Sequence, residues 1–207
     1  GESRYGAAKG ARDFLMITLG TGVGGGMFLS GQPYRGFRGL GAEVGHMVVQ
    51  MDGPPCPCGG TGHIEAYLGR PALAAQGRKA AESYSGSAIL KAAGGDAEQI
   101  TADTVIEASL AGDEMATRIL MEAGVVLGRA LVGLVNLLNP QLIVVGGGTG
   151  EACPFIVERA AEIITEEALA GRRDVRVIQA ELGNDAGMLG AAALAFDEND
   201  SKEGLSR

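Results

Sequence analysis

Apolar and polar positions divide the chain into short alternating runs, long helical runs and glycine-rich breaks. Residues 13–19 and 24–30 are short apolar runs separated by Gly20-Thr21-Gly22-Val23, which predicts a β-hairpin with a glycine-rich turn. Residues 45–51 predict a third strand, followed by a Pro/Cys/Gly loop over 52–62. Helical spacing dominates from Ile64 to about Leu138, with breaks at Pro71, near Ser85 and at Gly94-Gly95. The last of these helices, about 113–138, contains Gly124, Gly128 and Gly133. A glycine costs ~1 kcal/mol inside a helix, so three on roughly one side predict close packing against neighbouring backbone. Asn139-Pro140 stops this helix, and residues 141–145 read as a buried strand ending in Gly146-Gly147-Gly148. A helix over about 154–169, a strand over 175–180 and a helix over about 185–196 follow. Three meandering strands and then two strand–helix units predict an α/β fold, a mixed sheet with flanking helices. At 207 residues the chain is long enough for one generous domain or two small ones, no internal repeat is visible, and the polar stretch 197–207 is expected to be a flexible tail.

Composition narrows the function classes. The net charge of −8 and pI near 4.8 give a surface that repels phosphate backbones, so nucleic-acid binding is not expected. Thirty-five glycines in 207 residues is more than twice the usual share of roughly 7%. They cluster at the ends of apolar runs, where they let backbone approach a ligand. The most apolar stretch, 130–138, is about half the ~20 residues a bilayer span needs, and reads as a buried helix rather than a membrane segment. Residues 1–12 are polar, unlike a secretory signal. Two of the three cysteines stand one residue apart, which favours metal over a disulfide in a reducing cytoplasm.

The metal signal is the sharpest local one. His46, Cys56, Cys58 and His63 offer two imidazoles and two thiolates within eighteen residues, and they include both histidines of the chain. Cys56-Pro57-Cys58-Gly59-Gly60-Thr61-Gly62-His63 reads as a knuckle whose glycines let the chain fold the sulfurs onto one point. An S₂N₂ set suits tetrahedral Zn²⁺ with no position open for water, a structural site. The competing reading is unrelated loop cysteines beside incidental histidines. Taken alone, Gly20-Thr21-Gly22 is equally a plain hairpin turn, Gly146-Gly147-Gly148 a tight strand–helix turn, and Glu43 and Glu65 solvated loop carboxylates. Cys153, beside Pro154, reads as a small semi-buried residue without reactivity.

Gly41-Ala42-Glu43-Val44-Gly45-His46 followed by Cys56-x-Cys58-Gly59-x-x-Gly62-His63-x-Glu65 resembles the signature of the ROK family (repressors, open reading frames, kinases). The spacing agrees throughout, with one departure: His63 stands where the family pattern has a third cysteine. Leu19-Gly20-Thr21-Gly22-Val23-Gly24-Gly25-Gly26 and Asn139-Pro140 through Gly148 resemble further family segments in the expected order. The resemblance implies the large C-terminal lobe of an actin-like ATPase (ribonuclease H-like) fold. It implies that Gly20, Thr21 and Gly22 form a phosphate-binding loop for ATP with Mg²⁺, and that Gly146, Gly147 and Gly148 lie against the adenosine. It further implies that Glu43, His46 and Glu65 hydrogen-bond a hexose such as glucose. His46 would serve twice, one ring nitrogen on zinc and the other offered to the sugar. A homo-oligomer is expected from the same resemblance.

Phosphoryl transfer to a sugar also requires a general base and a first phosphate loop. In the family these are an Asp in an Asn-Asp-Ala stretch and an Asp-x-Gly-Gly-Thr stretch, and neither stands here at the right place. Gly1-Glu2 resembles the residues immediately after the family's Asn-Asp-Ala. Asn184-Asp185-Ala186 occurs near the far end, where it reads as a helix N-cap. The chain is therefore expected to be a lobe without turnover of its own. The alternative to a kinase lobe is the sugar-sensing lobe of a transcriptional repressor.

Overall fold

The computed structural model describes residues 1–83, 87–169 and 175–204, so the break expected near Ser85 lies outside the described residues. The hairpin forms as its alternation dictates. Strand β1 (Phe14–Leu19) pairs antiparallel with β2 (Val23–Leu29), from Phe14 opposite Phe28 to Leu19 opposite Val23. The short β3 (Gln32–Pro33) extends this pair beyond β2. On the other side of β1, β4 (Leu142–Gly146) and β5 (Arg176–Gln179) add in parallel, giving the order β3-β2-β1-β4-β5. A mixed α/β sheet is thus present. Strand β4 is buried along its whole length, as a parallel strand covered on both faces must be.

One expected strand is absent. Residues 44–46 make a short 3₁₀ turn, and 47–51 form no strand but join residues 62–64 through an isolated bridge from Val48 to His63 and backbone bonds such as Val49 N–H to the Gly62 carbonyl at 2.8 Å. The segment crosses the end of β2 face-on: a Cβ on Gly45 would collide with the Val23 carbonyl. It therefore cannot lie alongside a strand edge. Val44 is buried and Met47 packs against the core, while Val48, Val49 and Met51 stay exposed, Val48 at 56%. Beneath it, Gly25 of β2 leaves room for the Ala42 carbonyl and the Val44 side chain. Gly25, the middle glycine of the three in β2, is thus what lets the 42–46 segment sit on the sheet.

Helix α1 (Glu2–Tyr5) was not expected, whereas α2 (Glu65–Leu68), α3 (Arg70–Ser83), α4 (Ala88–Ala92), α5 (Ala102–Leu110) and α6 (Glu114–Leu138) follow the predicted run. Pro71 falls in the first turn of α3, where its missing N–H is harmless, and the break itself is at Gly69. The Asp113 side chain caps α6 by accepting from Ala116 N–H at 2.9 Å, and Asn139 ends it in the left-handed region at φ 45°. Helix α6 is long and apolar enough to cross a bilayer, yet its apolar face packs on α8 (Pro154–Glu167), α5 and α3 within the core. Gly124 and Gly128 make the α6–α8 approach possible. Added Cβ atoms there would lie 2.9 Å from Arg159 Cβ and 2.7 Å from Ile163 Cβ. Gly133 departs from the expectation: nothing stands within 4 Å of its missing side chain.

The short α7 (Gly148–Ala152) leads from β4 into α8, and α9 (Ala186–Gly204) closes the described chain. The expected flexible tail over 197–207 reaches beyond the described residues, and the α9 backbone is helical as far as Gly204. The buried Glu2 carboxylate accepts from Ala7 N–H at 2.7 Å, Leu182 N–H at 2.8 Å and Glu181 N–H at 3.1 Å. It pins the first helix to the turn that precedes α9, and the charge is met by three aligned donors.

Candidate functional site

Segments far apart in sequence meet at the open end of the β1–β2 hairpin. The turn Gly20-Thr21-Gly22 is closed by Gly20 N–H donating to the Gly22 carbonyl at 2.9 Å, with Thr21 exposed at its tip. From behind, Arg70 N–H donates to the Gly20 carbonyl at 3.2 Å. Arg70 itself is held by an ion pair with Asp103. The second segment brings Glu43 and His46. Ala42 precedes them at φ 64°, a conformation that costs a residue with a Cβ of order 1 kcal/mol. Glu43 stands next to His46, whose Nε2 is 4.0 Å from Glu43 Oε2.

The third segment is the knuckle. Cys56 N–H donates to the Gly60 carbonyl at 2.8 Å and Gly59 N–H to the Cys56 carbonyl at 2.9 Å, closing the loop around the sulfurs. Gly62 sits at φ 66° with its α-carbon hard against the Gln50 carbonyl, so no side chain fits there. Cys58 Sγ is 3.2 Å from His63 Nδ1, and Cys56 Sγ is 3.9 Å from His46 Nδ1. One ligand atom from each of the four lies within 4.8 Å of the others. Zn–S and Zn–N bonds of ~2.3 and ~2.0–2.1 Å imply ligand separations of about 3.3–3.8 Å. The donors are therefore assembled, and a small closure brings them to coordination distance. Burial pushes the Cys56 thiol above its ordinary pKa, and a cation at this point reverses that preference. The residues fit a zinc ion by donor type and by spacing.

Glu65 opens α2 and reaches back to the glycine-rich turn. Its Oε2 accepts from Val23 N–H at 3.0 Å, and its Oε1 lies 3.9 Å from Cys56 Sγ. The carboxylate occupies the space where a side chain on Gly22 would stand. In the sequence, motif position alone marks Glu65. Its bond to a backbone amide 42 residues away has no local signal.

Between these segments opens a cleft of about 330 Å³, lined by Gly20, Thr21, Gly22, Glu43, His46, Glu65 and Gly147 among others. Seven of the predicted site residues thus converge on one space. Gly147 reaches it at φ 85°, against the backbone of Leu19, in a position closed to any side chain. Its neighbours are placed differently. Gly146 is the last residue of β4, its missing Cβ directed at Ala180 and Met16 in the sheet, while Gly148 starts α7 facing open space. A second, more apolar cavity of about 640 Å³ shares Thr21 and Glu65 and is walled by the knuckle prolines and Tyr67. Thr18, at the β1 end of the cleft, was not among the predicted site residues, although a lone polar residue in the apolar run Phe14–Leu19 was a usable signal. Asp185 lies immediately ahead of α9, away from the cleft-lining residues. Cys153 is fully buried, more so than its neighbours suggested, and burial pushes its thiol up to about 11.

Comparison with known proteins identifies relatives of the fold as a whole. A model of the ROK family matches residues 1–198. The chain is 35% identical over 207 residues to a glucokinase from Halalkalibacterium halodurans, covering 98% of this chain and 62% of that relative. The crystal structure of a ROK family glucokinase from Streptomyces griseus in complex with glucose and AMPPNP superposes with a TM-score of 0.84 at 31% identity, covering 93% of this chain and 63% of that one. A ROK family transcriptional regulator, a homologue of the Escherichia coli Mlc protein, superposes with a TM-score of 0.80 at 26% identity, over 92% of this chain and 47% of its own. The chain thus spans less than two thirds of each of these relatives.

Proposed function

The chain belongs to the ROK family, and from that premise we propose that it is the hexose- and nucleotide-binding lobe of an ATP-dependent sugar kinase. The observation that carries this reading is the single cleft onto which Thr21 and its glycines, Gly147, Glu43, His46 and Glu65 converge. In this reading Glu43, His46 and Glu65 bind vicinal hydroxyls of a glucose-like hexose, because carboxylates accept two oriented hydrogen bonds at once. The Gly20-Thr21-Gly22 amides and the Thr21 hydroxyl hold the terminal phosphates, with Mg²⁺ entering as the nucleotide's counter-ion. Gly147 keeps the β4–α7 turn low enough for the nucleotide to pass, Gly146 holding the strand below it and Gly148 leaving space above.

His46, Cys56, Cys58 and His63 hold a structural Zn²⁺ in the same reading. With Nδ1 of His46 turned to Cys56 and Nε2 to Glu43, the ion would fix the ring that the sugar meets. The protein works in the reducing cytoplasm, where the thiols stay free for metal. It forms a homo-oligomer, supported by the exposed Leu110, Leu137 and Leu169. The 207 residues alone bind ligands without turnover, since the acceptor-side base and first phosphate loop of the resemblance are not among them.

Titration calorimetry of this chain with glucose and with AMPPNP tests the proposal. Binding of both supports the kinase lobe. Binding of hexose without nucleotide favours the sugar-sensing lobe of a repressor, the reading kept open by the structural likeness to the Mlc homologue. Binding of neither refutes both.

A further inference from the structure

Glu65 has one carboxylate and two neighbours that need it. Oε2 takes the Val23 amide at 3.0 Å, at the exit of the Gly20-Thr21-Gly22 turn. The same side chain lines the cleft beside Glu43 and His46. Its fit against the turn is so close that only glycine is possible at position 22 with this rotamer. The same α2–α3 junction grips the other end of the turn, through Arg70 N–H on the Gly20 carbonyl at 3.2 Å. The turn is thus held at both ends by a segment that begins two residues after His63, by a backbone amide at one end and the Glu65 side chain at the other.

Resting on the kinase-lobe reading, we propose that Glu65 is a positioning residue for the phosphate-binding turn, coupling hexose occupancy to nucleotide affinity. A carboxylate has about four lone-pair sites, so one oxygen can keep the Val23 amide while the other takes a sugar hydroxyl. Without sugar, the carboxylate is tied to the turn through Oε2 and only loosely on its other side, where Oε1 lies 3.9 Å from Cys56 Sγ. A hexose hydroxyl on Oε1 fixes the free side of the group. The turn it holds then spends more time in the conformation that presents amides to phosphate. By linkage, nucleotide must tighten sugar by the same factor.

The test measures AMPPNP affinity by calorimetry with and without saturating glucose, together with amide hydrogen exchange at Val23. The 207-residue protein is compared with Glu65→Gln and Glu65→Ala. Gln keeps an acceptor oxygen for Val23 and Ala keeps none. Without sugar, Glu65→Ala should weaken AMPPNP roughly tenfold, as loss of a charge-assisted bond implies, and speed Val23 exchange. Glu65→Gln should restore most of both. Glucose should tighten AMPPNP in the unmodified protein but not in Glu65→Ala. If Glu65→Ala binds sugar-free AMPPNP as tightly as the parent, or exchanges Val23 no faster, the positioning role is overturned. Failure of the parent to bind AMPPNP at all overturns the kinase-lobe reading, and this inference with it.

Discussion

Two glycines of one turn offer a controlled perturbation, because structure separates what a methyl group at each would meet. An alanine side chain at Gly22 would fall on the Glu65 carboxylate, with Cδ only 2.9 Å away. Real Cβ atoms do not approach that closely, and the obstacle is a side chain, so Glu65 swings away and the backbone stays. The Val23 amide then loses a charge-assisted acceptor worth about 1.5–3 kcal/mol in full. Because the position is only partly buried, water replaces much of that, leaving a stability loss of about 1 kcal/mol. The carboxylate's displacement matters more at the cleft. A hexose that gives a hydroxyl to Glu65 loses that charged hydrogen bond, so its affinity should fall by about tenfold or more. Gly20→Ala is the control: its methyl meets nothing within 4 Å, and stability should hold within about 0.5 kcal/mol. That methyl does enter the space proposed for phosphate, so AMPPNP should weaken while glucose does not. Urea denaturation, and calorimetry with glucose and with AMPPNP, measure these changes in both variants. Glucose affinity unchanged in Gly22→Ala, or equally reduced in both variants, would refute the proposed geometry.

Other outcomes rest on the same structure. Protein prepared without chelator should contain about one zinc per chain. Cys58→Ala should lose the metal and weaken glucose, whereas Glu65→Gln should weaken glucose with zinc retained, as elemental analysis and calorimetry in parallel would show. On α6, Gly133→Ala should stabilise by about 1 kcal/mol through helix propensity alone. Gly128→Ala meets Ala160 backbone at 3.0 Å and should destabilise by about 1–2 kcal/mol net, a contrast read directly from thermal melts. Cys153 keeps its proton in the folded protein up to about pH 11 and in the unfolded chain only to about 9. The native state therefore binds more protons between those values, and stability should be constant below about pH 9 and fall as pH rises towards about 11. Cys153→Ala should remove that part of the alkaline loss, measured by denaturation at stepped pH.

The hairpin, the long helix with its Asp113 and Asn139 ends, and the buried strand before Gly146 were legible because each is set by side chains within a few residues: a period of two or 3.6, a cap, a proline. The zinc-type donors were legible for a related reason. Three of the four lie within eight residues, and thiolate and imidazole advertise their chemistry by type. What failed had no local cause. Residues 45–51 carry the composition of a strand, but β2 offers the segment its face and not its edge, so 44–46 turn over it as a short 3₁₀ helix and 47–51 form no strand. Gly128 and Gly133 are alike in sequence, and only the path of α8 makes one a contact and the other open surface. Likewise Gly146 and Gly147 are adjacent and identical, and the end of β4 between them leaves one in the sheet while the turn at φ 85° takes the other to the cleft. Glu65 was assigned to sugar from its place in a motif. Its second partner, the Val23 amide, became its neighbour only when the chain between them folded back, since an amide proton carries no mark in the sequence of the acceptor it will meet.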